Sequence, residues 1–391
     1  MDQKQTVIIF STAFLPFIGG AELAIKEITD RITDLDFVLI TARMRHDLQR
    51  LERMGNMEVH RVGIGVPLLD KFISPFLAGF SIMRLTKKRR VRLFWSVMVS
   101  YTTITPVLLK MFGFYKKVPL LITLQEGDFD KRKLGSPDDS KYKKLLRATY
   151  YALIRFWWIL SLSYANHVQV ISEYLAKLAK EFGYNGPLTV IPNGVDTKIF
   201  YPRKDAREKN VLITTSRLVR KNGVDLLIRA MQIIAPHIPD VKLEIVGDGP
   251  DRAILESLAN KIVKAYKTHI VFHHEVPFEK VPEKLAKACV FVRPSRSEGL
   301  GTAFLEAMAM EIPVVATRVG GIPDFLEDEK TGLFVNEEDS ADIAKKVITL
   351  LTDEALYNKL AHNGRMLVQE KYSWDAVASK MKIIFKKLCA S

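Results

Sequence analysis

The sequence predicts an α/β protein with two doubly wound domains, each a parallel sheet covered by helices. Three observations support this class. Short β-branched runs alternate with longer helical stretches, which is the pattern of parallel strands joined by crossover helices. Two such series occur, and a segment rich in turn-forming residues separates them. The length of 391 residues fits two domains of roughly 100 to 200 residues each.

The candidate strands are apolar runs of strand length that are followed by turn residues or by a helical pattern. The first series comprises Val7 to Ser11, Phe37 to Thr41, Val91 to Val97, Leu120 to Leu124 and His167 to Ile171. The second series comprises Val211 to Ser216, Leu243 to Val246, Ile270 to Phe272, Val290 to Val292 and Val314 to Ala316.

The domain boundary is expected between the two series. The turn-forming cluster Ile191-Pro192-Asn193-Gly194-Val195-Asp196 lies there, and the polar segment Tyr201-Pro202-Arg203-Lys204-Asp205 follows it. We predict domains over 1–198 and 199–373, and a C-terminal helix over 374–391 that packs back on the first domain. Such sheets bind ligands at the carboxyl ends of their strands. We therefore expect the two domains to face each other across a cleft that holds the site.

Composition and charge narrow the classes of partner. With 48% hydrophobic and 26% charged residues, the chain is neither disordered nor fibrous. The net charge of +14 favours phosphate-bearing partners, which are nucleotides, nucleic acids or anionic membranes. Two cysteines are too few for a disulfide framework, and Met1 to Thr6 lacks a secretory signal, so we expect a cytoplasmic protein. Tyr150 to Ala165 is apolar, but it contains Arg155 and barely reaches the length of a membrane span, so we predict no transmembrane helix there.

The most informative segment follows the strand at Val290 to Val292. Its glycines let the loop bend into a helix whose first N–H groups can hold a diphosphate. Glu306 lies within that helix, inside an apolar run, where a buried carboxylate needs partners. Together with a carboxylate before the helix, it suits the hydroxyl groups of a sugar and a ribose. The loop residues expected to contact the ligand are Glu298, Gly299, Leu300, Gly301 and Thr302.

A second loop, after the strand at Val211 to Ser216, carries cations. Arg217 offers a forked donor, and Lys221 adds positive charge close to it. The two side chains could neutralise a diphosphate. The alternative is a solvated basic turn, which is the interpretation that we favour for Arg220.

Two glycine-rich turns are less specific candidates. Gly19 and Gly20 precede a helix, where their backbone can approach an anion closely. Gly247 and Gly249 lie in a strand-to-helix turn that could touch a base or a ribose. Each pair is equally compatible with a turn that only connects two elements.

These motifs together resemble the retaining glycosyltransferases of family 4, nucleotide-sugar-dependent enzymes with the GT-B fold of two Rossmann-like domains. The resemblance covers nearly the whole chain. It rests on Glu298 and Glu306 (E-x7-E), Ser216-Arg217-Leu218 with Gly223, Gly247-Asp248-Gly249-Pro250, Val319-Gly320-Gly321-Ile322-Pro323-Asp324, Thr331-Gly332-Leu333, Ile191 to Asp196, and Gly19-Gly20-Ala21-Glu22.

The resemblance implies a role for each of these positions. Glu298 and the loop through Thr302 would contact the sugar and phosphates of the donor, and Glu306 would contact its ribose. Arg217 with a nearby lysine would bind the diphosphate. Gly20 would meet the donor from the opposite domain.

The chain departs from the family pattern at two places. Family members commonly have lysine immediately before the glycine that matches Gly223, but this chain has Asn222 there, so Lys221 is the nearest candidate. Many members have a histidine after the strand at Leu120 to Leu124, where this chain has Gln125-Glu126-Gly127-Asp128. Gln125 could bind the transferred sugar or the acceptor, and the two carboxylates could orient it, or the segment is only a polar loop.

The resemblance implies transfer of a hexose or N-acetylhexosamine from a nucleotide-diphosphate sugar to a glycan or lipid-linked acceptor, in polysaccharide or glycolipid synthesis at the cell surface. A same-face displacement needs no protein base if the departing phosphate accepts the proton. We expect no cofactor, no metal and no nucleic acid partner. The alternatives are a non-catalytic basic protein that binds membrane or RNA, and a nucleotide-sugar epimerase or glucan phosphorylase on a similar scaffold.

The first domain also contains basic segments beside aromatic residues, which are typical of proteins that rest on an anionic leaflet. One segment is Arg84, Lys87, Lys88, Arg89, Arg90 and Arg92, preceded by Phe72, Phe76, Phe80 and Met83 and followed by Phe94 and Trp95. The other is Lys131-Arg132-Lys133, Lys141, Lys143, Lys144 and Arg147, followed by Tyr150-Tyr151 and Phe156-Trp157-Trp158. We expect peripheral docking on the cytoplasmic membrane face; the alternative is solvated helix faces with ordinary core aromatics.

Overall fold

The computed structural model describes residues 4–17, 19–125 and 141–390, with the backbone alone for 141–147 and 204. The chain divides into two compact units. The first unit is Met1–Asn193 together with Val377–Ser391, and the second is Gly194–Ala376. The division after Asn193 comes slightly earlier in the chain than the predicted boundary at 198, and the chain returns to the first unit at Val377.

The first unit contains an eight-stranded sheet, ordered β3-β4-β2-β1-β5-β6-β7-β8. Its strands are β1 (Thr6–Phe10), β2 (Asp36–Ala42), β3 (Leu51–Met54), β4 (Met57–Val62), β5 (Val91–Val97), β6 (Leu120–Leu124), β7 (His167–Val170) and β8 (Leu188–Val190). Its helices are α1 (Gly20–Arg31), α2 (Pro67–Thr86), α3 (Thr105–Met111), α4 (Lys141–Ser163) and α5 (Glu173–Glu181). The order runs outward from β1 in both directions, which is a doubly wound topology.

The five strands predicted for this unit are confirmed to within a residue at each end. They are parallel and almost wholly buried, which is why they read as continuous apolar runs. The prediction lacks β3, β4 and β8. Strands β3 and β4 form an antiparallel hairpin at the sheet edge, and β4 is buried only at alternate positions. Glu58 and His60 at the half-buried positions, and Arg61 at a buried one, interrupt the apolar run that the prediction relied on.

The second unit contains a six-stranded parallel sheet, ordered β11-β10-β9-β12-β13-β14. Its strands are β9 (Val211–Thr215), β10 (Lys242–Val246), β11 (His269–His273), β12 (Val290–Arg293), β13 (Val314–Thr317) and β14 (Leu333–Val335). Its helices are α6 (Val224–Ile234), α7 (Arg252–Tyr266), α8 (Val281–Ala286), α9 (Thr302–Ala309), α10 (Ser340–Thr352) and α11 (Glu354–Lys371). All five predicted strands are confirmed, and only the three-residue β14 was not predicted.

The last helix, α12 (Trp374–Ala390), begins in the second unit and continues in the first. Within the first unit, the ring of Phe385 lies 5.0 Å from that of Trp95 and 5.9 Å from that of Phe37. Lys382 and Lys386 both pair with Asp34, at 2.9 and 3.1 Å. The C-terminal segment thus contributes to the core of the first unit.

In the part of the chain that the structure describes, no helix is both long and apolar enough to cross a membrane. This includes the apolar portion of α4 that contains Arg155.

Candidate functional site

The loop between β12 and α9 brings the predicted residues to the carboxyl end of the second sheet. Gly301, immediately before α9, has a φ of 91°, a left-handed conformation that favours glycine. Gly301 has no side chain to cap the helix, so the helix start can offer backbone N–H groups to an anion. Gly299 and Thr302 are half-buried. Leu300 is only 2% exposed, which excludes its side chain as a contacting group.

Glu298 is held by a residue that the sequence analysis did not identify. Arg293, the last residue of β12, donates from Nη2 to Oε2 of Glu298 at 2.6 Å. The side chain of Glu298 is 15% exposed and that of Arg293 is 7% exposed. The ion pair with Arg293 therefore fixes the Glu298 carboxylate, while part of the carboxylate surface stays accessible to a ligand.

Glu306, in the middle of α9, is buried as the apolar run around it predicts. Burial raises the pKa of its carboxyl to about 7, against the opposing field of Arg293. Among the described residues, none donates a hydrogen bond to this carboxylate. A buried carboxylate without a partner is costly, so this position suits a hydroxyl-bearing ligand.

The two cationic side chains proposed in the β9–α6 loop differ in their exposure. The exposed Arg217 has no hydrogen bond or ion pair through its guanidinium with any described residue. Lys221 is half-buried, in a turn over Arg220–Asn222. Asn222 is 5% exposed, and its amide donates to the carbonyl of Arg217 at 2.6 Å. The residue at the family's lysine position therefore braces the loop from inside, and Lys221 remains the candidate cation.

Close backbone contacts join the loops at this edge of the sheet to one another. Four glycines leave no room for a side chain, because a Cβ would lie almost on a carbonyl oxygen of an adjacent loop. The pairs and Cβ···O distances are Gly223 with Pro294 (1.9 Å), Gly247 with Ser216 (2.1 Å), Gly249 with Leu218 (2.3 Å) and Gly320 with Glu298 (1.8 Å). Gly247 and Gly249 thus have a packing role, and their contact with a ligand stays a prediction.

Arg296 is a second functional candidate that the sequence analysis missed. Its guanidinium binds both carboxylate oxygens of Asp225, at 2.8 and 2.9 Å, and also pairs with Glu338. Its backbone N–H donates to the carbonyl of Lys221 at 2.7 Å. These hydrogen bonds raise the pKa of Arg296 further above its ordinary value. Arg296 thus joins the β12–α9 loop to the β9–α6 loop, and this role depends on contacts between residues far apart in the sequence.

Several polar atoms at this edge are buried and lack hydrogen-bond partners among the described residues. They are the hydroxyls of Thr214, Thr215, Ser216 and Ser295 and Nε of Arg293, all at the ends of β9 and β12 or directly after them. Buried polar groups are normally satisfied by protein, water or ligand. Their clustering marks this edge as the polar site of the second unit.

The first unit brings three residues together at the carboxyl end of its own sheet. Asn193 donates to Oε1 of Gln125 at 3.0 Å, and a Cβ on Gly20 would lie 3.4 Å from the Asn193 amide. Gly19 and Gly20 are exposed at the start of α1, without a described side-chain cap. Asn193 was noted in the sequence only as part of a turn, although it reaches the site candidates. Glu126 and Asp128 lie outside the described residues.

Within the described ranges, no three His, Cys, Asp or Glu side chains form a group able to hold a metal ion. The expectation that the chemistry needs none stays a prediction.

Two family models match the chain. The model of glycosyltransferase family 4 matches residues 18–199. The model described as glycosyl transferases group 1 matches residues 196–367. Together they span nearly all of both sheets, including every site residue described above.

Individual relatives agree with the family models. A GDP-mannose-dependent alpha-(1-6)-phosphatidylinositol monomannoside mannosyltransferase of Mycolicibacterium smegmatis is 36% identical over 235 residues, 56% of this chain and 61% of that enzyme. The match thus spans less than two thirds of the enzyme. An uncharacterised glycosyltransferase of Methanocaldococcus jannaschii is 26% identical over 97% of this chain and 98% of its own length.

The fold also matches a solved structure. Sucrose-phosphate synthase from Thermosynechococcus elongatus superposes with a TM-score of 0.79 over 99% of both chains, at 22% identity. This likeness establishes the two-domain GT-B architecture. On the two family models, the chain belongs to glycosyltransferase family 4, and it has the GT-B fold.

Proposed function

We propose that the protein is a retaining hexosyltransferase that moves a hexose or N-acetylhexosamine from a nucleotide-diphosphate sugar to a glycan or lipid-linked acceptor. One observation carries the proposal. Glu298 and Glu306 flank the uncapped start of α9, and the exposed Arg217 lies on the loop that Gly223 packs against Pro294. In this arrangement, the two carboxylates can accept hydrogen bonds from ligand hydroxyl groups on both sides of a site for an anion.

The site residues divide the donor between them. Arg217, Lys221 and the first N–H groups of α9 would take the diphosphate, since cations and helix N-termini favour negative charge. Glu306 would accept hydrogen bonds from the ribose, which removes its need for a partner. Glu298 would accept from hydroxyls of the transferred sugar. Gln125, Gly19 and Gly20 of the first unit would contact the sugar or the acceptor.

The chemistry assigned to these residues is positioning and charge stabilisation. In a same-face displacement, the bond from the anomeric carbon to the leaving phosphate oxygen breaks while the acceptor oxygen bonds to that carbon. The departing phosphate oxygen takes the acceptor proton. The protein's main task is to stabilise the charge on the departing diphosphate, which Arg217 and the start of α9 can do. A retained anomeric configuration in the product tests this course.

Donor binding can be tested by thermal shift against UDP-, GDP- and ADP-sugars. A ligand at about 100 times its Kd stabilises the folded state by roughly 2.7 kcal/mol. We expect one nucleotide to shift the wild type strongly and E306A to lose the shift. Ser257→Ala, on an exposed part of α7, serves as the control and should keep it. Equal shifts in E306A and the wild type would contradict the assignment of Glu306 to the ribose.

Slow release of free nucleoside diphosphate from the donor separates a transferase from a binding protein. The family match does not favour a non-catalytic membrane- or RNA-binding protein or an epimerase. If the wild type releases no nucleoside diphosphate from any of these donors, with or without acceptor lipids, the transferase proposal fails.

A lipid-linked acceptor is supported by the surface of the first unit. Helix α2 carries large apolar side chains that face solvent, among them Leu68 (67% exposed), Phe72 (58%), Phe76 (68%) and Phe80 (62%). An exposed apolar face of this kind marks an interaction site. The basic residues Arg84, Lys87, Lys88 and Arg90 at its C-terminal end are exposed as well. The phosphatidylinositol monomannoside in the name of the Mycolicibacterium smegmatis relative is consistent with a lipid partner.

The structure adds residues to this surface and removes some of the predicted ones from it. Thr86 and the Tyr115 hydroxyl lie 3.0 Å apart, which joins the end of α2 to the segment after α3, where Phe112 is 71% and Phe114 is 57% exposed. The expectation that Phe94 and Trp95 belong to the surface is wrong, because both are buried in β5. Arg89 pairs with Glu58 at 2.6 Å, and Trp158 is also buried. Of the second basic segment, 131–133 lie outside the described residues, and only the backbone of 141–147 is described.

We therefore propose that α2 and the segment after α3 rest on an anionic leaflet at the cytoplasmic face. The test is flotation with phosphatidylcholine vesicles, with and without about 30% phosphatidylglycerol. The variant F72S/F76S/F80S should bind about tenfold more weakly. The control I254S/I383S removes two similarly exposed side chains elsewhere and should bind as the wild type does. Binding that ignores both the anionic lipid and the phenylalanines would contradict the proposal.

A further inference from the structure

Arg293 occupies an unusual position for a charged residue, because it ends a buried strand and is only 6% exposed. A buried cation is tolerated only when it is paired and its hydrogen-bond donors are used. The hydrogen-bonded ion partner of Arg293 is Glu298, at 2.6 Å. The Nη1 atom donates to the carbonyl of Thr215 at 3.3 Å, whereas Nε is buried and has no partner among the described residues.

The guanidinium is also fixed by an aromatic ring. It lies over Phe304 of α9 at 4.3 Å from the ring centroid. Gly301 makes this arrangement possible, since a Cβ at that position would lie 2.5 Å from the Phe304 ring and 3.1 Å from Nη2 of Arg293. The left-handed glycine before α9 therefore clears space for the stacked arginine as well as opening the helix start.

We propose that Arg293 is a positioning residue that holds the Glu298 carboxylate in one orientation towards the donor sugar. This inference rests on the proposed transferase function. The geometry requires arginine in particular, because two nitrogens of one planar group reach Glu298 and Thr215 while its face stacks on Phe304. A lysine could keep the charge, but its single ammonium cannot make the three contacts together.

The ion pair is tested first without any substrate. A double-mutant cycle uses R293M, E298Q and R293M/E298Q in urea unfolding. We expect the pair to couple by at least about tenfold in the unfolding equilibrium constant, since removing one partner leaves the other buried and unpaired. Additive effects would overturn the inference, whether or not a donor has been found.

The positioning role is tested with the donor sugar that the wild type turns over. We expect kcat to fall about 100-fold in R293M and about tenfold in R293K, while the Kd for the free nucleoside diphosphate stays within about threefold. A purely structural arginine would lower stability without this selective loss of kcat. Retention of kcat within threefold in R293M overturns the inference. A wild type that turns over no donor refutes the proposed function instead, and the unfolding cycle then decides on the ion pair.

Discussion

The candidate site residues at the carboxyl ends of the two sheets are held in different ways. In the second unit, four glycines bring loop backbones into direct contact and Arg296 ties two loops together through Asp225 and Glu338. In the first unit, a Cβ on Gly20 would lie at an ordinary 3.4 Å from the Asn193 amide nitrogen, and a side-chain hydrogen bond joins Asn193 to Gln125. Backbone contacts fix a shape that few substitutions can preserve, whereas side-chain contacts change with each substitution. The candidate site of the second unit is therefore the more rigidly held of the two, and the Gln125–Asn193 group of the first unit is the more adjustable one.

The largest effect that would test this contrast is expected from Gly223→Ala. Gly223 has a φ of 68°, and a Cβ would lie 1.9 Å from the Pro294 carbonyl oxygen. We expect the free energy of unfolding to fall by about 3 kcal/mol or more, from backbone strain and overlap together. The measurement is urea unfolding.

Gly79→Ala is the matched control for that substitution. Gly79 lies within α2 and has no atom within 4 Å of its Cβ position, so alanine should stabilise the helix by about 0.5 to 1 kcal/mol. If the two substitutions have similar effects, the loops of the second unit are not locked by backbone contact.

A second test compares two buried carboxylates. Asp70 in the first unit accepts hydrogen bonds from the backbone of Met44, Ile64 and Gly65, at 3.0, 2.7 and 2.8 Å. Asp70→Asn should therefore lower the free energy of unfolding by about 2 kcal/mol at pH 8, because one donor then faces an amide instead of an acceptor. Glu306 has no such donors, so Glu306→Gln should have the opposite sign.

The pH dependence of the Glu306→Gln effect follows from burial, which raises the pKa of Glu306 from its ordinary value of 4.5 to about 7. The folded state holds the Glu306 proton more tightly than the unfolded state, so wild-type stability is lost as pH rises from 4.5 through 7. The glutamine variant should match the wild type near pH 4.5 and exceed it by up to about 3 kcal/mol at pH 8. Thermal unfolding across this range checks it, and a difference that does not change with pH would refute the burial argument.

The smallest expected effect concerns the family's lysine position. Asn222→Lys should lower stability by about 1 kcal/mol through loss of its hydrogen bond to Arg217, without tightening nucleotide binding. Lys221→Ala should weaken the Kd for the nucleoside diphosphate about tenfold. Arg220→Ala serves as the control and should leave it unchanged. Titration calorimetry measures the Kd of all three variants, and urea unfolding measures the stability of N222K. Tighter nucleotide binding by N222K would show that the site still needs a lysine at 222.

Much of the fold could be predicted because buried parallel strands are apolar runs of fixed length. The strand at Val290 and the loop after it are examples, and Glu306 could be recognised from the apolar residues around it. Strand β4, next to the edge strand β3, could not be found this way, since it is buried only at alternate positions. Phe94 and Trp95 were wrongly predicted to lie on the surface. Their neighbours in sequence are basic, but this does not determine whether a strand residue is buried.

The amino-acid order alone established two α/β domains, the loops that end their strands, and the spacing of Glu298 and Glu306, because periodicity and glycine placement act locally. It could not establish that Arg293 is anchored to the Thr215 carbonyl or that Arg296 binds Asp225. Arg293 meets Thr215 across 78 positions of sequence, and a partner at that separation is determined only when the neighbouring strands pair and the loops between them pack.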